Sequence, residues 1–126
     1  MKIMNILVLS TLFAVSNAKA DYILTEEDTC VTKQTGANGK RRSCGMTACV
    51  TAGFREYISD FHAVELHHRG TGSGCGEAYI AESLHDARTK TDYPIKVCVK
   101  GNARSYKGTS SGRGRVTCKI EATVVQ

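Results

Sequence analysis

The sequence predicts an α+β protein: a small disulfide-stapled α/β sandwich whose largely antiparallel four-stranded sheet carries two helices. Three observations predict it. Apolar residues recur at helical spacing in two stretches and alternate in others. Glycine-rich clusters punctuate the chain between those stretches. Six cysteines fall in a chain of 126 residues, a length that supports one modest core and not two.

The elements follow in order. Thr29 to Thr35 is a short strand, and the run from Gly36 to Gly39 is a turn leading into Lys40, Arg41 and Arg42. Ser43 caps a helix expected from Gly45 to Ser59, with Met46, Val50, Phe54, Tyr57, Ile58 and Phe61 as its apolar stripe. Cys49 lies beside that stripe, so a bridge from it would pin the helix to the sheet. Gly53 inside such a helix costs about 1 kcal/mol. Phe61 to Arg69 alternates as a strand, with Val64 and Leu66 toward the core and Glu65, His67 and Arg69 on the other face. After a flexible connector from Gly70 to Gly76, a second helix is expected from Glu77 to Thr89, burying Ala78, Ile80, Leu84 and Ala87. The segment from Asp92 to Pro94 breaks it. Ile95, Val97 and Val99 then alternate on a strand, and Val116, Cys118, Ile120, Ala122 and Val124 share one side of the last.

Two features set the compartment. Residues 1–20 read as a signal peptide: Met1 and Lys2 form a positive start, Ile3 to Val15 an apolar stretch, and Ala18 and Ala20 a small-residue cleavage site before Asp21. Residues 21–126 then form a single secreted disulfide-rich domain. No apolar run reaches the roughly 18 to 20 residues of a membrane helix. In an oxidising compartment Cys30, Cys44, Cys49, Cys75, Cys98 and Cys118 read as three disulfides, with 15 connectivities open. A zinc site is disfavoured because no Cys-x-x-Cys occurs, and His62, His67, His68 and His85 form no metal motif. No metal or cofactor is expected.

Charge is uneven. Asp21, Glu26, Glu27 and Asp28 crowd the start of the domain, whereas Lys96 to Gln126 holds seven basic residues and one acid, Glu121. The stretch from Gly101 to Arg115 is a long loop without acids, read as a flexible cationic finger. Lys40, Arg41 and Arg42 with Arg104, Lys107, Arg113 and Arg115 are the candidate binding residues, suited to an anionic partner. A catalytic alternative exists. Glu65, His67 and Arg69 on one strand face could cleave RNA, the first two moving protons and the arginine stabilising the phosphorane. The glycines from Gly70 to Gly76 match neither a dinucleotide fingerprint nor a Walker loop.

The chain resembles the calcium-channel-blocking killer toxins of smut fungi and the killer-toxin-like secreted effectors of plant-pathogenic fungi. The resembling parts are the strand from Val64 to Arg69, Cys75 opening a helix with Leu84, the strand around Val97, Cys98 and Val99, and the closing strand from Gly112 to Ile120. The Leptosphaeria-type avirulence effectors, also cysteine-rich α/β sandwiches, are a comparable match. Beside the resemblance, a bridge from Cys30 toward Cys98 is expected. The chain departs from the toxins in having fewer cysteines and no lysine or arginine over Ser59 to His62, so channel blocking is not carried over. The resulting expectation is a monomeric, non-enzymatic secreted toxin or virulence effector of a fungus. Its partner would be a surface or intracellular protein of a host or competitor cell, an anionic lipid or a polysaccharide. A small ribonuclease and a lipid- or carbohydrate-binding module are the alternatives.

Overall fold

The computed structural model describes residues 21–107 and 112–126; the signal peptide expected at 1–20 and the centre of the cationic loop lie outside them. The described chain is all β. Seven strands, β1 (Tyr22–Val31), β2 (Ser43–Thr51), β3 (Tyr57–Arg69), β4 (Gly74–Cys75), β5 (Tyr79–Asp86), β6 (Thr91–Arg104) and β7 (Arg115–Val125), follow one another, with no helix among the described residues. They form two antiparallel sheets. The front sheet has the order β1-β7-β3; the back sheet has β2-β6-β4, with β5 also paired to β6.

The core lies between the sheets. The front sheet contributes Ile58, Val116, Ile120 and Val124, and the back sheet Met46, Ala48, Val50, Val97, Val99 and Ala103, all buried. Strand β7 is central, and its alternate residues from Val116 to Val124 are sealed as the period-2 pattern predicts. Two bridges stitch the sheets together, Cys30–Cys44 from β1 to β2 and Cys75–Cys118 from β4 to β7. The third, Cys49–Cys98, joins directly opposed residues of β2 and β6 within the back sheet. The expected Cys30–Cys98 bridge is therefore replaced by two others.

Both expected helices are strands, and the α+β class is corrected to a β-sandwich. The segment from Gly45 to Ser59 becomes β2, a turn and the start of β3. Its apolar residues stand four apart, a spacing that serves one face of a helix and one face of a strand alike. The deciding residue is Ala48, buried between Met46 and Val50 in strict alternation, while Thr47, Thr51 and Cys49 face away. The second helix, from Glu77 to Thr89, becomes β5 and the β5–β6 turn. Here Ile80 is 48% and Leu84 60% exposed instead of buried. As an edge strand, β5 carries no core-imposed alternation, so its helix-forming residues give a misleading local signal. Cys49 accordingly clamps two strands and pins no helix.

The middle of β3 also departs from expectation. Its register against β7 slips between Glu65 and His67, a β-bulge that absorbs Leu66. Val64, ahead of that slip and after another between Ile58 and Asp60, sits opposite Lys119 on the outer face, and Leu66 is 47% exposed, so neither is a core residue. Phe61 and Ala63 pack against the core in their place.

Candidate functional site

One pole of the sandwich gathers three loops. The β1–β2 loop (32–42), the β3–β4 loop (70–73) and the β6–β7 loop (105–114) meet where Val31, Arg69 and Arg115 end the front sheet and Ser43 and Arg104 end the back one. Backbone bonds tie them: Thr32 N–H donates to Gly114 O at 2.9 Å, and Ser105 N–H donates to Arg42 O at 2.8 Å. Ser105 is the hub. Fully buried, its hydroxyl takes a bond from Thr35 Oγ1 at 2.7 Å and from the Arg42 N–H at 2.8 Å. Gly70 and Gly114 close the seam from two sides. A Cβ on either would collide with the carbonyl oxygen of Arg104, and Gly70 also has a φ of 102°.

All seven candidate binding residues stand at this pole. Lys40, Arg41 and Arg42 come from the first loop, Arg104 and Arg115 from the strand ends, and Lys107 and Arg113 from the third loop. Lys33 and Arg69 join them, the first missed and the second assigned to catalysis from sequence. The signal for Lys33 was available: no acid occurs from Thr32 to Arg42, from Arg69 to Gly74, or from Arg104 to Arg115. Arg41 differs from the others. Its Nε donates to Ser105 O at 2.9 Å and its Nη2 to Thr71 O, so it braces the three loops. A groove of about 450 Å³ between the ends of the first loop is lined by Val31, Thr32, Lys33, Lys40, Arg42 and Cys44, among others.

The opposite pole has a different character. Asp21, Glu56, Asp86 and Asp92 alternate there with Arg55, Arg88 and Lys90. Tyr22 donates its hydroxyl to Glu56 Oε1 at 2.5 Å, and this bond to a carboxylate raises the phenol's pKa above its ordinary value. An apolar groove of about 430 Å³ opens where the β5–β6 hairpin outruns the front sheet, lined by Ala52, Phe54, Tyr57, Leu84, Tyr93 and Ile95. Phe54, 87% exposed, marks its rim.

The proposed RNA-cleaving trio is not assembled. The β3 bulge puts Glu65 opposite the buried Cys118 and His67 opposite Thr117, on opposite faces of the sheet. Glu65 spends its carboxylate inward, accepting from Cys75 N–H at 3.0 Å and facing His68 Nδ1 at 2.8 Å. His67 and Arg69 remain together on the outer face. The other imidazoles are paired, His62 with Glu121 at 2.8 Å and His85 with Asp92 at 2.6 Å. Among the described residues no three His, Cys, Asp or Glu side chains converge as metal ligands do.

The outer face of the front sheet is charge-balanced at its middle. Glu121 accepts from Lys119 Nζ at 3.0 Å, and that bond, helped by His62, holds its carboxyl below the ordinary glutamate range. Three disulfides on so small a domain are typical of extracellular proteins. Comparison with protein-family models, with curated proteins and with solved structures finds no match.

Proposed function

We propose that this chain is a secreted, non-enzymatic binding protein that grips an anionic polysaccharide of another organism's cell surface, in the manner of a toxin or virulence effector. One observation carries the reading: three loops and the strand ends that frame them share one pole, where Lys and Arg gather with no Asp or Glu among them. Such a one-signed patch attracts polyanions and speeds their encounter. Exposed aromatic residues are sparse beside it, with Tyr106 the example, so bases of a single-stranded nucleic acid would find little to stack on. The apolar groove with Phe54 and Leu84 lies at the far pole, whereas beside the basic loops the exposed apolar residues are single side chains on separate strands, Val31 and Leu66, which disfavours lipid as the target of the basic pole.

The test is retention on immobilised heparin and on polygalacturonate, with RNA and anionic vesicles as competing targets. The wild type should bind a polysaccharide and release it as salt rises through the physiological range. A variant with Arg104, Lys107, Arg113 and Arg115 all replaced by Ser should keep its fold and lose about tenfold or more in affinity. Tighter binding to RNA or vesicles than to either polysaccharide would overturn the reading, and RNA cleavage lost in His67→Ala would replace it with the ribonuclease.

A further inference from the structure

We infer that the outer face of the front sheet, at its basic end, is a seat for one tetrahedral oxyanion, a sulfate or phosphate ester, formed by Arg69, Arg115, His67 and the Thr29–Thr117 hydroxyl pair. The inference rests on the polysaccharide reading and names the group that the protein holds.

The first ground is a conflict of charge. Arg69 and Arg115 are directly opposed across β3 and β7, the register position where like charges destabilise a sheet. On its other side Arg115 faces Val31, which is apolar and 50% exposed. No salt bridge reaches either arginine among the described residues. The nearest acid on this face of β1 is Glu27, which lies opposite Lys119. Lys119 is four residues along β7 from Arg115, roughly 14 Å at about 3.4 Å per residue. That exceeds the screening length of about 8 Å at physiological salt. The same face shows how the sheet handles charge elsewhere, since Glu121 is flanked by Lys119 and His62 at contact distance. Among the described residues, no carboxylate pairs with the two arginines at the basic end.

The second ground is the set of donors around that gap. His67 and Thr117 form the next cross-strand pair, and Thr117 Oγ1 lies 2.8 Å from Thr29 Oγ1 on β1. One hydroxyl of that pair donates to the other, which leaves the second hydrogen available to a ligand. The returning loop runs over the same corner. A Cβ on Gly112 would stand 3.5 Å from Arg69 Nη2, so Arg113 enters the chain beside the seat. Guanidinium forks and a hydroxyl approaching from two strands suit an anion with oxygens in several directions. A carboxylate, with two oxygens in one plane, is satisfied by a single fork.

The test combines inorganic phosphate with heparin. Phosphate titrated into isotopically labelled protein at constant ionic strength should give saturable amide shifts at His67, Arg69, Arg115 and Thr117. The double variant Arg69→Gln/Arg115→Gln should lose those shifts, bind heparin about tenfold more weakly, and melt no lower than the wild type, because removing opposed charges relieves the sheet. A second variant, Arg69→Lys/Arg115→Lys, keeps the charge without the forks and should recover less than half of the lost affinity. A Gln variant that binds heparin as the wild type does, with phosphate shifting nothing on this face, overturns the seat and leaves the polysaccharide reading standing. Failure of the wild type to bind heparin overturns that parent reading, while the phosphate shifts still decide the seat.

Discussion

At the scale of single residues, Glu121 shows how the exposed front face is tuned. Its carboxyl titrates low because Lys119 donates to it and His62 stands beside it. A group whose pKa is depressed by folding stabilises the native state above the ordinary glutamate range and loses that contribution as pH falls through its lowered value. Glu121→Gln should therefore lower stability slightly at neutral pH, leave it unchanged below the lowered pKa, and so flatten the acid side of the profile; urea melts across that range would read it. An unflattened profile would assign the acid limb to other carboxylates. Ser105 is the buried counterpart, satisfying Thr35 and the Arg42 backbone at once. The role of Ser105 and the pairing of Glu121 with His62 were not legible in the sequence, because those partners lie more than 50 residues away in the chain; only Lys119, two residues before Glu121 on the same strand, is a neighbour in sequence.

At the scale of elements, what could be read depended on burial. Strand β7 is central and sealed on one face, so its alternation was imposed by the core and visible as Val116, Cys118, Ile120, Ala122 and Val124. The inward residues of β6, Val97 and Val99, were legible for the same reason. Strand β2 hid behind Met46, Val50 and Phe54, whose spacing of four residues fits both periods, and β5 had no buried face to reveal it. The bulge at Leu66 was invisible, since one inserted residue leaves no mark on composition yet puts Glu65 and His67 on opposite faces. The basic residues of the site were legible as types, and their convergence was not, because the bonds between the 32–42 and 105–114 loops are long-range. Those loops depend on close backbone approach. Gly114→Ala would push a methyl into the Arg104 carbonyl and should cost about 2 kcal/mol or more by chemical denaturation, within the range of severe steric substitutions. A loss below about 0.5 kcal/mol would mean that the seam yields freely.

At the scale of the whole molecule, a thin core is held by cross-links and polarised by charge. The Cys30–Cys44 bridge closes a 14-residue separation and roots the first basic loop in both sheets. Replacing both cysteines by Ala should cost about 3 kcal/mol and weaken polyanion binding, read by thermal melts and heparin retention; full affinity in the folded variant would separate the loop's function from its staple. The polarity itself is the central claim: cations without acids at one pole, mixed charge and apolar surface at the other. The most direct measurement is an amide-shift map of the labelled protein with a size-defined heparin oligosaccharide. The account predicts shifts confined to residues 32–42, 69–74 and 104–115 and to the outer ends of β1, β3 and β7, with Phe54, Leu84 and Tyr93 unmoved. Shifts centred on that apolar groove, or none at saturating oligosaccharide, would contradict it.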